Sequence, residues 1–153
     1  MSNRLQNERG FGMAELIVVV AIIGLLAALA LPSFLTYWQS STLSAGAAEM
    51  ASTLNRGRQL AIAQNGSVCV QVTGTSVRYR TVSCAGTIWT GTGTNSAGLI
   101  SLSNGLQISN LNPSVIFTNA GGSNAGGPYT VTDPRTSRTR SVAVSATGRV
   151  SVQ

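Results

Sequence analysis

The sequence predicts an α+β fold: one long N-terminal helix, membrane-spanning over its first half, packs on a mainly antiparallel β-sheet. Three observations predict it. An apolar run fills residues 11–31, a helical stripe of apolar and small residues follows between Leu43 and Ala61, and short β-rich segments separated by Gly, Asn and Ser follow Gly66. The 153 residues leave room for one small domain beyond the membrane span.

The apolar run has the length of a membrane span and contains one acid. Residues 11–31, as a helix rising about 1.5 Å per residue, cover roughly 31 Å, about the thickness of a bilayer core. Glu15 lies just inside this run. A carboxylate at that depth costs on the order of 3 kcal/mol, so we expect Glu15 to have a partner and a function.

The flanks of the run predict its orientation and its fate. Arg4 and Arg9 precede it and the long remainder follows, so the positive-inside rule places residues 1–10 in the cytoplasm and exports the rest. A secretory signal would end in a small-residue cleavage site, whereas this run continues into Leu31-Pro32-Ser33-Phe34. We therefore expect the run to be retained as an anchor.

Beyond the span the pattern is helical again. Pro32 is expected to kink the helix without ending it, and Asn65-Gly66 is a typical C-terminal stop. The helix is thus predicted over residues 11–65. The positions expected to face the sheet recur at steps of three and four: Leu43, Ala47, Met50, Leu54, Gly57 and Ala61.

The C-terminal part, residues 66–153, is predicted to be rich in strands. Residues 67–72 and 77–82 form a predicted hairpin across the turn 73–76, and Asn104-Gly105 is a tight-turn dipeptide between two further strands. Two Gly-rich stretches, 90–98 and 120–127, are predicted loops. The remaining predicted strands are residues 99–103, 106–109, 115–118, 129–132, 141–145 and 149–152.

The composition argues against an enzyme. The chain has ten Arg, no Lys, four acids and no His. Without residues 1–10 the side-chain charge is +5, from eight Arg and three acids, and Glu15 lies in the predicted span. Two Cys without His make a poor metal site, and a thiol without His lacks an activating base. We expect no catalytic residue, no metal and no cofactor.

The N-terminal segment resembles the type III signal of type IV pilins and type II secretion pseudopilins. The matching residues are Gly10, Phe11, Glu15 and Pro32, with Glu15 fifth after Gly10; Gly12 and Met13 depart from the Thr and Leu of the family pattern. The resemblance implies that prepilin peptidase cuts after Gly10 and that the new N-terminus at Phe11 is methylated. It also implies that Glu15 pairs with the Phe11 amine of a neighbouring subunit during docking.

The same resemblance implies partners and a location. The partners are prepilin peptidase, other pilins or pseudopilins, the inner-membrane assembly platform and membrane lipid. The chain would cross the inner membrane once, with its C-terminal domain in the periplasm, before it assembles into a pilus or pseudopilus.

The last part of the chain resembles the GspH/FimT family of minor pilins. Residues 115–122, VIFTNAGG, and the segment from Tyr129 to a closing Gly148-Arg149 match the end of that family. Residues 66–153 would then form a GspH/FimT-like periplasmic domain.

Cys69 and Cys84 have two interpretations. In the periplasm implied by the resemblance they can form a disulfide, and a loop of about 15 residues makes such a bridge worth about 3 kcal/mol. The predicted hairpin pairs Cys69 with Arg80, however, so a bridge needs a bulge or a chain that curls back after Val82. The alternative is two buried free thiols.

The arginines also have two interpretations. Some FimT-like minor pilins bind DNA through a C-terminal Gly-Arg-x-Arg segment, and clustered Arg suits phosphate contacts. This chain lacks the second Arg after Gly148-Arg149, and a solvated surface that uses Arg in place of Lys is the alternative. Strand alternation places Tyr79 in the core, away from its two Arg neighbours. The candidate DNA-binding residues are Arg135, Arg138, Arg140 and Arg149.

The function predicted from the sequence is structural. We expect a minor pilin or pseudopilin that enters a helical filament near its tip and helps to initiate assembly, in either a type IV pilus or a type II secretion system. A DNA-binding minor pilin displayed on the filament, for DNA uptake, is the alternative.

Cleavage between Gly10 and Phe11 is the first testable prediction, because the apolar run must survive processing as an anchor. The intact mass of the protein extracted from membranes should show loss of MSNRLQNERG and the gain of one methyl group. A mature form that begins after residue 30 would contradict the assignment.

Overall fold

The computed structural model describes residues 12–109, 114–124 and 126–153. The predicted processing site, Gly10 and Phe11, lies outside these residues. The chain divides between Trp38 and Gln39 into two compact units.

The first unit contains the start of helix α1, which runs over Met13–Ala63. Pro32 lies inside α1 and does not end it, whereas the kink expected at this residue stays a prediction. The hydroxyl groups of Ser33 and Thr36 donate to the Ala30 and Pro32 carbonyls, at 3.0 and 3.1 Å. Among the described residues, α1 is the helix long and apolar enough to cross a membrane, and no residue of its apolar window is buried.

The second unit packs the rest of α1 against strands. The predicted stripe of α1 is confirmed, since all six of its residues are buried, together with Gly46 and Thr53. The strands are β1 (Val68–Thr73), β2 (Ser76–Thr81), β3 (Leu99–Ser101), β4 (Gln107–Ser109), β5 (Ser114–Phe117), β6 (Gly126–Thr132), β7 (Thr139–Val144) and β8 (Val150–Val152).

Within the described residues these strands form two antiparallel sheets where one sheet was expected. Sheet A has the order β3-β2-β1-β5, and sheet B the order β4-β6-β7-β8. The predicted hairpin is confirmed in register, because Val72 pairs with Val77 and Cys69 with Arg80.

The turn at Asn104-Gly105 forms, but it does not join two paired strands. Both residues have positive φ, 63° and 67°, yet β3 pairs with β2 in sheet A and β4 with β6 in sheet B. Leu102 and Leu106 on either side are 8 % and 1 % exposed. Burial of these two side chains directs the chain into the core between the sheets, so the turn connects the sheets.

Two glycines let α1 approach both sheets closely. A Cβ on Gly46 would lie 2.0 Å from Leu106 Cδ1 and 3.7 Å from Val131 Cγ1, next to sheet B. A Cβ on Gly57 would lie 2.4 Å from Val70 Cγ2 and 3.3 Å from Tyr79 Cε1, on sheet A.

Tyr79 joins α1 to sheet A by a buried hydrogen bond. Its hydroxyl donates to the Thr53 carbonyl at 2.8 Å, and its ring meets Trp89 edge-on at a centroid distance of 5.8 Å. Burial raises the pKa of the phenol to about 12, against the opposing effect of the Arg56 charge. The hydroxyl therefore remains a donor at physiological pH.

Gly57→Ala should destabilise the domain even though Ala is the better helix former by about 1 kcal/mol. The new methyl group would displace Val70, which has no flexible end to move, so we expect a net loss of about 1–2 kcal/mol. Urea unfolding followed by near-UV circular dichroism measures it. The control is Gln59→Ala on the exposed side of α1, which should change stability by less than about 0.5 kcal/mol. A Gly57→Ala variant as stable as the control would show that the close contact between Gly57 and Val70 does not require glycine.

Candidate functional site

Glu15 lies in the first turn of α1, in an otherwise apolar segment. The large hydrophobic side chains between Leu16 and Leu35 are 41 to 73 % exposed. A carboxylate in the first turn is favoured by the helix dipole, but the dipole does not supply a counter-charge in lipid. The predicted counter-charge, the amine of a processed Phe11, lies outside the described residues. The site therefore offers one carboxylate that can form an ion pair. It lies on a helix surface that has to be shielded from water.

Cys69 and Cys84 are joined as a disulfide in the structure, with their Cα atoms 5.1 Å apart. The chain reaches this geometry by turning back directly after β2. Val82 has a φ of 71°, and its N–H donates to the Ser67 carbonyl at 2.7 Å. The hairpin register is kept, and the reversal at Val82 carries Cys84 back to Cys69.

The segment after this disulfide holds an aromatic contact that the sequence did not predict. Trp89 N–H donates to the Tyr79 carbonyl at 3.0 Å, and the Arg56 guanidinium lies 5.4 Å from the centre of the Trp89 ring. Arg56 also donates to the Thr92 carbonyl. This cation–π contact connects α1 to the loop between β2 and β3. No local sequence pattern reports it, because Arg56 and Trp89 are far apart in the chain.

Three of the candidate DNA-binding arginines lie together. Arg135 and Arg138 belong to the turn between β6 and β7, Arg140 lies near the start of β7, and all three are exposed. Arg149 is also exposed, but it lies in the turn between β7 and β8. Because β7 runs between these two turns, they are at opposite ends of sheet B, so the structure separates Arg149 from the other three.

Asp133 organises the turn that carries these arginines. Its carboxylate accepts from the Arg135 N–H and from the Thr136 hydroxyl, both at 3.0 Å. Its own N–H donates to the Arg138 carbonyl at 3.0 Å. Asp133 is 8 % exposed, and its carboxylate accepts hydrogen bonds within the turn. Asp commonly stabilises turns in this way.

The other acid of the second unit is used in a similar way. Glu49 on α1 accepts from the Ser103 N–H at 3.0 Å and from its hydroxyl at 3.1 Å. This contact fixes the connection between the two sheets to the helix. The sequence did not indicate it, because the two residues are brought together only by the fold.

The remaining arginines mostly serve the fold. Arg58 donates to the Gly121 carbonyl at 2.8 Å, and Arg80 to the Gly86 carbonyl at 2.8 Å. The Arg78 Nε atom is buried without a hydrogen-bond partner among the described residues. Tyr79 between Arg78 and Arg80 is fully buried, as the alternation predicted.

Within the described part of the chain, no group of three or more His, Cys, Asp or Glu side chains could hold a metal ion. The features available for function are therefore an apolar helix with one acid, a basic turn and the edges of two sheets.

Comparisons with known proteins agree with this geometry. Residues 5–31 match the model of the prokaryotic N-terminal methylation motif. The chain is 33 % identical over 106 residues to a type IV major alpha-pilin of Moraxella bovis, covering 61 % of this chain and 67 % of that protein.

Two solved structures share the fold. The type IV minor pilin FimU of Pseudomonas aeruginosa matches with a TM-score of 0.57 at 16 % identity, over 76 % of this chain and 92 % of that one. The minor pseudopilin EpsH of the Vibrio cholerae type 2 secretion system matches with a TM-score of 0.54 at 11 % identity, over 72 % and 95 %.

Proposed function

Because the chain belongs to the type IV pilin-like proteins, the family of type IV pilins and type II secretion pseudopilins, we propose that it is a minor subunit of GspH/FimT type. It enters a helical filament near the tip and helps to initiate assembly. Before assembly it is anchored in the inner membrane with the strand-rich unit in the periplasm. Its function is structural.

The observation that carries this proposal is Glu15 within the exposed apolar part of α1. The hydrophobic side chains need lipid before assembly and the helices of other subunits after it. A charge in that surface favours the docked position in which it meets an opposite charge. Cleavage after Gly10 creates such a charge at Phe11, so processing and docking depend on each other.

The GspH/FimT part of the proposal is supported by the end of the chain. The closing hairpin of β7 and β8 turns at Gly148, which has a φ of 76°, directly before Arg149. This is the Gly-Arg position of the resemblance. The placement near the tip belongs to the same minor-subunit assignment.

Glu15→Ala should leave membrane insertion intact while it impairs filament assembly. Removing one partner of a desolvated ion pair costs about 3–5 kcal/mol, so we expect incorporation to fall by more than about 100-fold. The measurement compares the amount of the variant protein in the membrane fraction with the amount in sheared filaments, in cells that lack the native copy.

Leu16→Ala is the matched control, because it also shortens an exposed side chain of the first helical turns and removes no charge. Equal incorporation of Glu15→Ala and the control would contradict pairing through Glu15.

A second candidate function, DNA binding at the filament surface, is favoured by the turn between β6 and β7. Arg135 and Arg138 in this turn and Arg140 near the start of β7 are exposed, and within the described residues their guanidinium groups form no ion pair with a carboxylate. From Gln39 onward the chain has eight Arg and two acids, a net charge of +6, and both acids are hydrogen-bonded internally. Phosphates are a natural counter-charge for such a surface.

Replacing Arg135, Arg138 and Arg140 with Gln should then weaken DNA binding and its salt dependence. Three lost phosphate contacts reduce the log–log salt slope by up to about 2.7 on double-stranded DNA, whereas Arg149→Gln, as a control at the other end of the sheet, reduces it by at most about 0.9. Gel-shift titrations of the full chain in nonionic detergent at several salt concentrations measure this. Absence of DNA binding at low salt would contradict this second function and leave only the structural one.

A further inference from the structure

The outer edge of β8 is open. Gln153 N–H donates to the Ser141 carbonyl at 2.8 Å, and the Arg149 carbonyl accepts from Ser145 N–H at 2.9 Å, so both residues face β7. In an antiparallel pair the direction of the backbone groups alternates along the strand. The N–H and C=O groups of Val150 and Val152 therefore point away from β7, and no described residue pairs with them.

The same chain closes both edges of sheet A. On β3, the Leu99 N–H donates to Asn95 Oδ1 at 2.8 Å, and the Leu99 carbonyl accepts from Asn95 N–H at 3.0 Å. On β5, Ile116 has the same two bonds with Asn124, at 2.9 and 3.1 Å. An asparagine thus occupies the position of a further strand on each edge. Such closure prevents unwanted strand pairing, and the described residues contain no counterpart on β8.

The side chains around this edge determine what can pair with it. Arg149 immediately precedes β8, and Arg140 lies one residue before Ser141, the partner of Gln153 at the other end. Residues 134–153 contain no acidic side chain. A second copy of this chain would bring the same positive charge to the edge and would be repelled, whereas an acidic segment is attracted.

Apolar surface also borders the edge. Val150 and Val152 share the inward face with the buried Val142 and Val144, and Val152 is still 43 % exposed. A strand added at this edge would cover Val152 with its own inward-facing side chain.

We propose that the outer edge of β8 accepts an extended, acidic peptide segment of another protein as an added strand. Main-chain bonds to Val150 and Val152 supply the affinity, and the arginines at the two ends select the charge. This interaction surface shares Arg140 and Arg149 with the DNA-binding candidate, but its main-chain groups belong to Val150 and Val152, and it does not involve Glu15.

The test uses two fluorescein-labelled peptides, Glu-Thr-Val-Thr-Val-Glu and the same sequence with Lys at both ends. Fluorescence anisotropy with the full chain in nonionic detergent should show binding of the acidic peptide that weakens with salt, and no binding of the basic one. Equal binding of both peptides, or of neither, would overturn the proposal.

Val152→Pro separates strand addition from simple charge attraction. It removes an outward N–H and leaves the bonds to β7, the position at which an edge strand tolerates Pro. Loss of one of about four hydrogen bonds should weaken acidic-peptide binding about fivefold relative to the control Val152→Thr, which keeps the N–H. Equal affinity of the two variants would overturn strand addition.

A measurement on the unmodified protein does not depend on how well the Pro variant folds. In amide hydrogen exchange followed by NMR, saturating acidic peptide should slow exchange of the Val150 and Val152 amides. The Ser151 amide, which faces β7, should change little. Unchanged exchange at Val150 and Val152 would also overturn the proposal.

Discussion

The apolar first part of α1 has to leave water, and the rest of the molecule depends on this constraint. Burying a large hydrophobic side chain is worth about 1.5–3 kcal/mol, and the exposed set from Leu16 to Leu35 represents many such side chains. Lipid satisfies this requirement for a single subunit, and neighbouring helices satisfy it in a filament. Glu15 is the charged exception in this surface. In the proposed docking, it is the position of the apolar helix at which a change of register has a large energetic consequence.

The second part of α1 meets a different requirement, because it holds two sheets in one core. Gly46 faces sheet B and Gly57 faces sheet A, about 16 Å apart along the helix. Larger residues at these positions would push the sheets away. Two hydrogen bonds add to these contacts. The Tyr79 hydroxyl donates to the Thr53 carbonyl of the helix, and the Glu49 carboxylate on the helix accepts from the Ser103 N–H. The helix therefore joins the two sheets directly, in addition to the turn at Asn104.

The charged side chains of the second unit fall into two groups: some form hydrogen bonds within the fold, and others are exposed at the surface. Both carboxylates accept hydrogen bonds from nearby backbone and hydroxyl groups, and Arg56, Arg58 and Arg80 donate to loop carbonyls. The exposed arginines of sheet B are left without an acid of their own among the described residues. A surface of this kind attracts polyanions and acidic peptides. The open edge of β8 adds directed main-chain groups, which discriminate an extended peptide from a nucleic acid.

Several features depend only on local periodicity and on the hydropathy of each segment, so they can be predicted without the fold. The membrane-length run, the buried stripe of α1, the β1–β2 register and the burial of Tyr79 follow from spacing alone, since side-chain direction repeats every 3.6 or 2 residues. The division of the strands into two sheets depends on packing between distant parts of the chain. Asn104-Gly105 specifies a turn, but only the burial of Leu102 and Leu106 assigns the strands on either side to different sheets.

The contacts between groups far apart in the chain depend on the same packing. Arg140 and Arg149 are near each other in the sequence, but β7 separates them in space. The Arg56–Trp89 and Glu49–Ser103 contacts join residues that no local sequence pattern connects. The reversal at Val82 that brings Cys84 to Cys69 is of the same kind. Such contacts depend on the summed packing of the whole domain. A sequence window reports only the interactions between near neighbours in the chain.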